Sequence, residues 1–137
     1  MLVVEQFGIE ALSRGAKKAY FCDNNANAIK ILTDNLNKTK LISNAIIIKK
    51  DYRLALNEIR EELDIVFLDP PYKLDLAANS VELLLDLKLI NKETIIIIET
   101  DEPDRIMTKL EQIPEAQIID KRKYGRANLL FIKKRGT

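Results

Sequence analysis

The residues best suited to chemistry lie in Val66-Phe67-Leu68-Asp69-Pro70-Pro71-Tyr72. A residue before proline is pushed out of the α region, and each proline fixes its own φ. Asp69, Pro70, Pro71 and Tyr72 therefore read as a stiff loop that offers carbonyl acceptors, lacks two N–H donors and carries one carboxylate. Such a loop suits the exocyclic amine of a nucleobase, whose two N–H groups need acceptors. Holding both hydrogens aims the nitrogen lone pair at an electrophile. Positive charge developing on that nitrogen is stabilised by Asp69 and the Pro70 carbonyl. Tyr72 can stack on a base extruded from its helix, a contact worth about 1–3 kcal/mol. The plainer alternative is a turn that merely terminates a buried strand. An apolar strand before the triplet and an aromatic residue directly after it favour the chemical reading.

The elements that must position this loop follow from patterning. Short β-branched runs at 19–22, 45–49, 65–68 and 94–99 alternate with segments whose apolar residues recur at helical spacing, at 25–36, 53–63, 76–87 and 103–113. A further helix ends at Gly15, and 117–123 and 128–133 read as two strands joined through Tyr124-Gly125-Arg126. Continuous apolar strands are buried on both faces, so the pattern predicts a doubly wound α/β domain. Its sheet is mostly parallel, with an antiparallel C-terminal hairpin. Ligands in such sheets sit beyond the carboxyl ends of the strands. Asp23-Asn24, Asp51-Tyr52 and Glu99-Thr100 occupy those positions alongside the D-P-P-Y loop.

Asp23 at a strand end can hydrogen-bond ribose hydroxyls, as acids do in dinucleotide-binding folds, or cap the helix that starts near Asn25. Asp51 can accept from an adenine amino group, with Tyr52 packing on the ring, or serve as another N-cap. Glu99 carries no assignment.

Composition sets the outer bounds. A chain of 137 residues with 47% hydrophobic residues and a net charge of +1 is one folded domain rather than a disordered one. No stretch approaches the roughly 18 apolar residues of a membrane helix, and no signal peptide is visible. Cys22 is alone and His is absent, which excludes an internal disulfide, Ser-His-Asp catalysis and His-ligated zinc. No metal is called for, and a cytoplasmic protein is expected. The last 17 residues hold seven Lys and Arg and no acid, so the first 120 are net −6. This basic end suits a polyanion; a guarded edge strand is the alternative.

The pattern apolar-aromatic-x-D-P-P-Y resembles the amino-methyltransferases, which transfer methyl from S-adenosylmethionine to exocyclic nitrogens of DNA or RNA bases. Gly8-Ile9-Glu10-Ala11-Leu12-Ser13-Arg14-Gly15-Ala16 is similar to the helix after the first strand in bacterial 16S ribosomal RNA guanine-N2 methyltransferases. The resemblance covers nearly the whole chain. It implies a Rossmann-like S-adenosylmethionine-dependent methyltransferase fold and a guanine N2 target in 16S rRNA or a small-subunit assembly particle. It also implies a cofactor site drawing on Gly8, Asp23, Asn24, Asp51 and Tyr52. Lys121, Arg122, Lys123 and Arg126 would then lie near RNA phosphates. The family pattern places a glycine-rich loop before this helix. Here Met1–Phe7 stands in its place, with Gly8 the remaining glycine, so a single methyltransferase domain with an altered cofactor loop is expected. A DNA adenine-N6 methyltransferase and a silent domain that keeps the fold are the rival expectations.

Overall fold

The computed structural model describes residues 5–68 and 76–136, apart from the side chains of residues 5–7 and 124. Helices and strands alternate along the chain. They are α1 (Glu5–Ser13), β1 (Ala19–Cys22), α2 (Ala26–Lys38), a 3-10 turn at Ile42–Asn44, β2 (Ala45–Ile48), α3 (Tyr52–Glu58) and β3 (Ile65–Leu68). Next come α4 (Leu76–Asp86), β4 (Ile95–Thr100), α5 (Pro103–Glu111), β5 (Ala116–Tyr124) and β6 (Ala127–Lys134).

The strands are the β-branched runs, and their order is that of a wound α/β protein. β1 runs parallel to β2 with Cys22 opposite Ile48, and β3 runs parallel to β4 with Leu68 opposite Ile98. β6 returns antiparallel to β4 and β5 pairs antiparallel with β6, giving the order β3-β4-β6-β5. Hydrogen bonding thus divides the strands into two blocks, one of two strands and one of four. Among the described residues no strand pairs with the outer sides of β1 and β3. The strand stub expected at Met1–Val4 lies outside them.

Side chains join the blocks instead. Tyr20, Cys22 and Ile48 pack in one core with Val66, Leu68, Ile96 and Ile98, under residues of α3, α4 and α5. Ala19 and Phe21 alternate onto the opposite face, where they meet Leu12 of α1 and Leu32 and Leu36 of α2. Helices therefore cover β1 on both faces, as its unbroken apolar sequence requires. A second link is polar. The Tyr20 hydroxyl and the Lys18 ammonium both donate to Glu61 Oε2, on the segment leading into β3, the Lys18 bond at 2.7 Å. Burial, reinforced by the Glu61 hydrogen bond, pushes Tyr20 up to about 12. Lys18 first and Tyr20 second hold the Glu61 carboxyl below its usual range.

Three helices leave through the same reversal. After α1, Gly15 takes a φ of 108°, and Ala16 N–H donates to the Ala11 carbonyl at 3.0 Å. After α2 and α4, the left-handed position falls to Lys40 (φ 61°) and Lys88 (φ 58°), with Leu41 and Leu89 N–H bonding back to Leu36 and Leu84. These are Schellman closures, which glycine ordinarily occupies.

One expectation is corrected, and one strand carries an irregularity. The helix expected over 53–63 ends at Glu58, because Ile59 is already extended (ψ 129°). Ile59 and Leu63 are buried all the same, whereas Leu54 on the expected apolar stripe is 60% exposed. In β5, Ile118 opposes Ile132 while Asp120 opposes Phe131, so one extra residue is inserted as a β-bulge. Opposed residues share a face. The bulge therefore sends Lys121 and Lys123 toward the α5 face, and Asp120 and Arg122 toward the other.

Candidate active site

The strand ends that should hold a ligand are built by a repeated local device. Asp23, just past β1, accepts from Asn25 N–H through Oδ1 at 2.9 Å. Asp51, just past β2, accepts from Arg53 N–H at 2.7 Å. Thr100, at the end of β4, accepts from Glu102 N–H at 2.9 Å. Asp and Thr make these two-residue loops because their short side chains reach the backbone two positions on. Each loop turns the chain from strand into helix. Among the described residues, each aspartate is left with one carboxylate oxygen that has no protein partner.

The N-cap alternatives divide. Asn25, rather than Asp23, caps α2, its Oδ1 accepting from Ala28 N–H at 3.1 Å. Asp23 instead holds Asn25 in place, and Asn24 between them is exposed. Asp51 is the N-cap of α3. Tyr52 is 7% exposed and its ring belongs to the larger core, so packing fixes it before any ligand arrives. Gly8 is buried within α1 rather than standing in a loop.

Asp69, Pro70, Pro71 and Tyr72 lie outside the described residues. The strand that leads to them ends at Leu68, and cross-strand register shows what stands level with that end. Leu68 opposes Ile98, Ile98 opposes Leu130, and Leu130 opposes Lys121. Three strand spacings of about 4.8 Å put Lys121 roughly 14 Å from Leu68 along this row. Lys123, opposite Asn128 and thus level with Thr100, lies one step further toward the turn. Gly125 takes a φ of 58° in that turn, and Arg126 follows it.

The basic end of the chain is therefore two groups. Lys121, Arg122, Lys123 and Arg126 stand at the end of the sheet where β3 and β4 finish. Lys133 and Lys134 stand at the opposite end, beside Gln117 and Ala116. Within the first group the charges differ in availability. Arg122 pairs with Asp120 at 2.8 Å and lies over the Phe131 ring at 5.4 Å. That guanidinium, then the Lys121 N–H, holds the Asp120 carboxyl below its usual range. Lys121 is 3.8 Å from the Asp104 carboxylate. Lys123 and Arg126 have no acidic partner among the described residues.

Arg53 is a feature that the sequence reading passed over. Its Nε donates to the Tyr52 hydroxyl at 3.2 Å, and its guanidinium lies 5.4 Å from the centre of that ring. Only the direct succession Asp51-Tyr52-Arg53 hints at this in the sequence.

Residues 6–133 match the family described as Conserved hypothetical protein 95. The chain belongs to that family. Among its relatives is YlbH of Bacillus subtilis (strain 168), named as a candidate rRNA methyltransferase. It is 30% identical over 132 residues, covering 94% of this chain and 70% of that protein. Ribosomal RNA small subunit methyltransferase D of Haemophilus influenzae is 32% identical over 104 residues. That match covers 74% of this chain, which spans 54% of the enzyme's length. Among solved structures, a Podospora anserina methyltransferase with bound S-adenosylhomocysteine superposes with a TM-score of 0.76 at 14% identity, over 90% of this chain and 64% of that one. The fold is that of the S-adenosylmethionine-dependent methyltransferases, and the family is the one the sequence resembled.

Proposed function

We propose that this chain transfers a methyl group from S-adenosylmethionine to the exocyclic N2 of a guanine in 16S rRNA. The observation that carries the reading is the pair of carboxylates at the ends of the adjacent strands β1 and β2. Asp23 and Asp51 are each anchored by one oxygen and keep the other free. A nucleoside presents ribose hydroxyls and an adenine amine as donors, so two free acceptor oxygens fit its chemistry. Asp23 and Asn24 would meet the ribose and Asp51 the adenine, with the buried Tyr52 ring as a fixed wall and Gly8 nearby. The cofactor supplies an electrophilic methyl group. Asp69 and the Pro70 carbonyl accept both hydrogens of the target amine, Pro71 stiffens the loop, and Tyr72 stacks on the base. Lys121, Arg122, Lys123 and Arg126 contact RNA phosphates beside the site. Cytoplasmic small-subunit assembly particles would supply the substrate.

Calorimetric titration with S-adenosylmethionine and S-adenosylhomocysteine tests the first half, with micromolar binding expected. Labelled methyl transfer to immature small-subunit particles, against naked DNA, tests the second. Nucleoside digestion should yield N2-methylguanine. A labelled adenine or unlabelled RNA in the presence of bound cofactor would overturn the substrate assignment. Asp69→Ala should abolish transfer and leave cofactor affinity within a few-fold.

A further inference from the structure

The hairpin cations stand on one flank of the strand-end crevice. The other flank, at the end of β2, carries Lys49, Lys50 and Arg53. Lys50 is spoken for by Glu58 at 2.7 Å. Lys49 is exposed and without an ion pair among the described residues. Arg53 differs from both, and from the acid-bound arginines of the chain. Arg14, Arg105 and Arg122 are held by carboxylates of Glu10, Glu102 and Asp120. Arg53 is held by an aromatic ring. Its Nε donates to the Tyr52 hydroxyl at 3.2 Å, and its guanidinium carbon lies 5.4 Å from the ring centre. Its backbone is fixed twice, by Asp51 Oδ1 on its N–H at 2.7 Å and by Asn57 Nδ2 on its carbonyl at 2.7 Å. Tyr52 in turn cannot move, because it is packed in the core. The result is an ordered guanidinium on an exposed residue, whose charge no directly bonded acid cancels and whose two terminal amino groups have no hydrogen-bond partner among the described residues. An arginine ordered in advance loses little entropy when it binds phosphate with two parallel hydrogen bonds.

We propose that Arg53 is an RNA-phosphate anchor, so that substrate RNA is gripped on both flanks of the site, at Arg53 and at the hairpin. This rests on the rRNA reading above. The neighbouring Asp51 carboxylate remains committed to its own cap and to the nucleoside side of the site.

The test is filter binding of 16S rRNA to the purified chain across a salt series, with cofactor titration and melting temperature measured on every variant. Arg53→Gln should weaken RNA binding several-fold and reduce the salt slope by about one, as the loss of one phosphate contact does, with cofactor affinity unchanged. Tyr52→Phe keeps the charge but removes the hydrogen bond that orients it, and should weaken RNA binding less, at an unchanged slope. Lys123→Gln serves as the hairpin comparison. RNA affinity unchanged in Arg53→Gln, with Lys123→Gln weakened, overturns the anchor and leaves the rRNA reading standing. Loss of cofactor affinity without loss of RNA affinity in Arg53→Gln also overturns it, making Arg53 a positioning residue for the nucleoside. Failure of the unsubstituted chain to bind RNA at any salt overturns the rRNA reading itself.

Discussion

The two strand blocks of this molecule are built to different specifications. The four-stranded block shares a core of 23 buried residues with α3, α4, α5 and one face of the pair. The other face of the pair has five buried residues, from α1, β1 and α2. Yet the two-stranded block presents Asp23 and Asp51, the groups proposed to hold the cofactor. The larger block presents β3, which leads to the D-P-P-Y segment, and the basic hairpin. Stability and ligand recognition are thus unequally shared. The lightly packed half holds its carboxylates with local hydrogen bonds, whereas the heavily packed half carries its exposed cations on a hairpin seated in the core.

Core truncations should break the comparison most sharply. Leu84 of α4 and Phe21 of β1 are 0% and 1% exposed. Removing such side chains costs about 3–5 kcal/mol. Leu84→Ala should lower amide protection across β3, β4 and β6 together in hydrogen exchange. Phe21→Ala should concentrate the loss in α1, α2, β1 and β2 and weaken cofactor binding more, while β4 and β6 stay protected. Equal loss of protection everywhere in both variants would show that the blocks unfold as one unit.

The polar link between the blocks gives a smaller, pH-dependent effect. Tyr20 titrates higher in the folded chain, at about 12, than the value near 10 of an unfolded one. Its contribution is therefore complete below pH 10 and lost as pH rises from about 10 to 12. Glu61 is lowered, so its contribution holds above the unfolded carboxyl pKa and fades as pH falls. Tyr20→Phe should flatten the alkaline limb of melting temperature against pH, and Glu61→Gln the acidic limb.

The smallest expected change is a gain. Lys40 and Lys88 sit in the left-handed position that glycine takes after α1. Relief of that strain is worth about 1 kcal/mol, partly offset by the entropy of an added glycine. Lys40→Gly and Lys88→Gly should each raise the melting temperature slightly, and the two gains should add, since they lie in separate turns.

Much of this architecture was legible in the residues. Runs such as Thr94–Glu99 and Ile65–Leu68 can hardly be anything but buried strands, and the observed β4 (Ile95–Thr100) and β3 differ from them by at most one residue at an end. The end of α3 was not legible, because Ile59 and Leu63 continue a helical spacing while being buried from an extended segment. Asp23-Asn24-Asn25 offers three capping residues in succession, and only backbone geometry decides that Asn25 does the capping. The basic terminus read as one patch because sequence proximity conceals the length of a strand. Lys134 lies six steps along the strand from Asn128, which at about 3.4 Å each is roughly 20 Å.

The extra residue in β5 also makes the hairpin's charge pattern tolerant of a change in strand length. It acts as a change of phase between an apolar lower half, seated by Ala116 and Ile118, and a charged upper half. Deleting Ile119 would leave the turn and the net charge untouched and keep every opposed pair, because Ile118 already faces Ile132 and Asp120 already faces Phe131. A lineage could thus gain or lose this residue by a single codon without re-aiming any of the rim's cations.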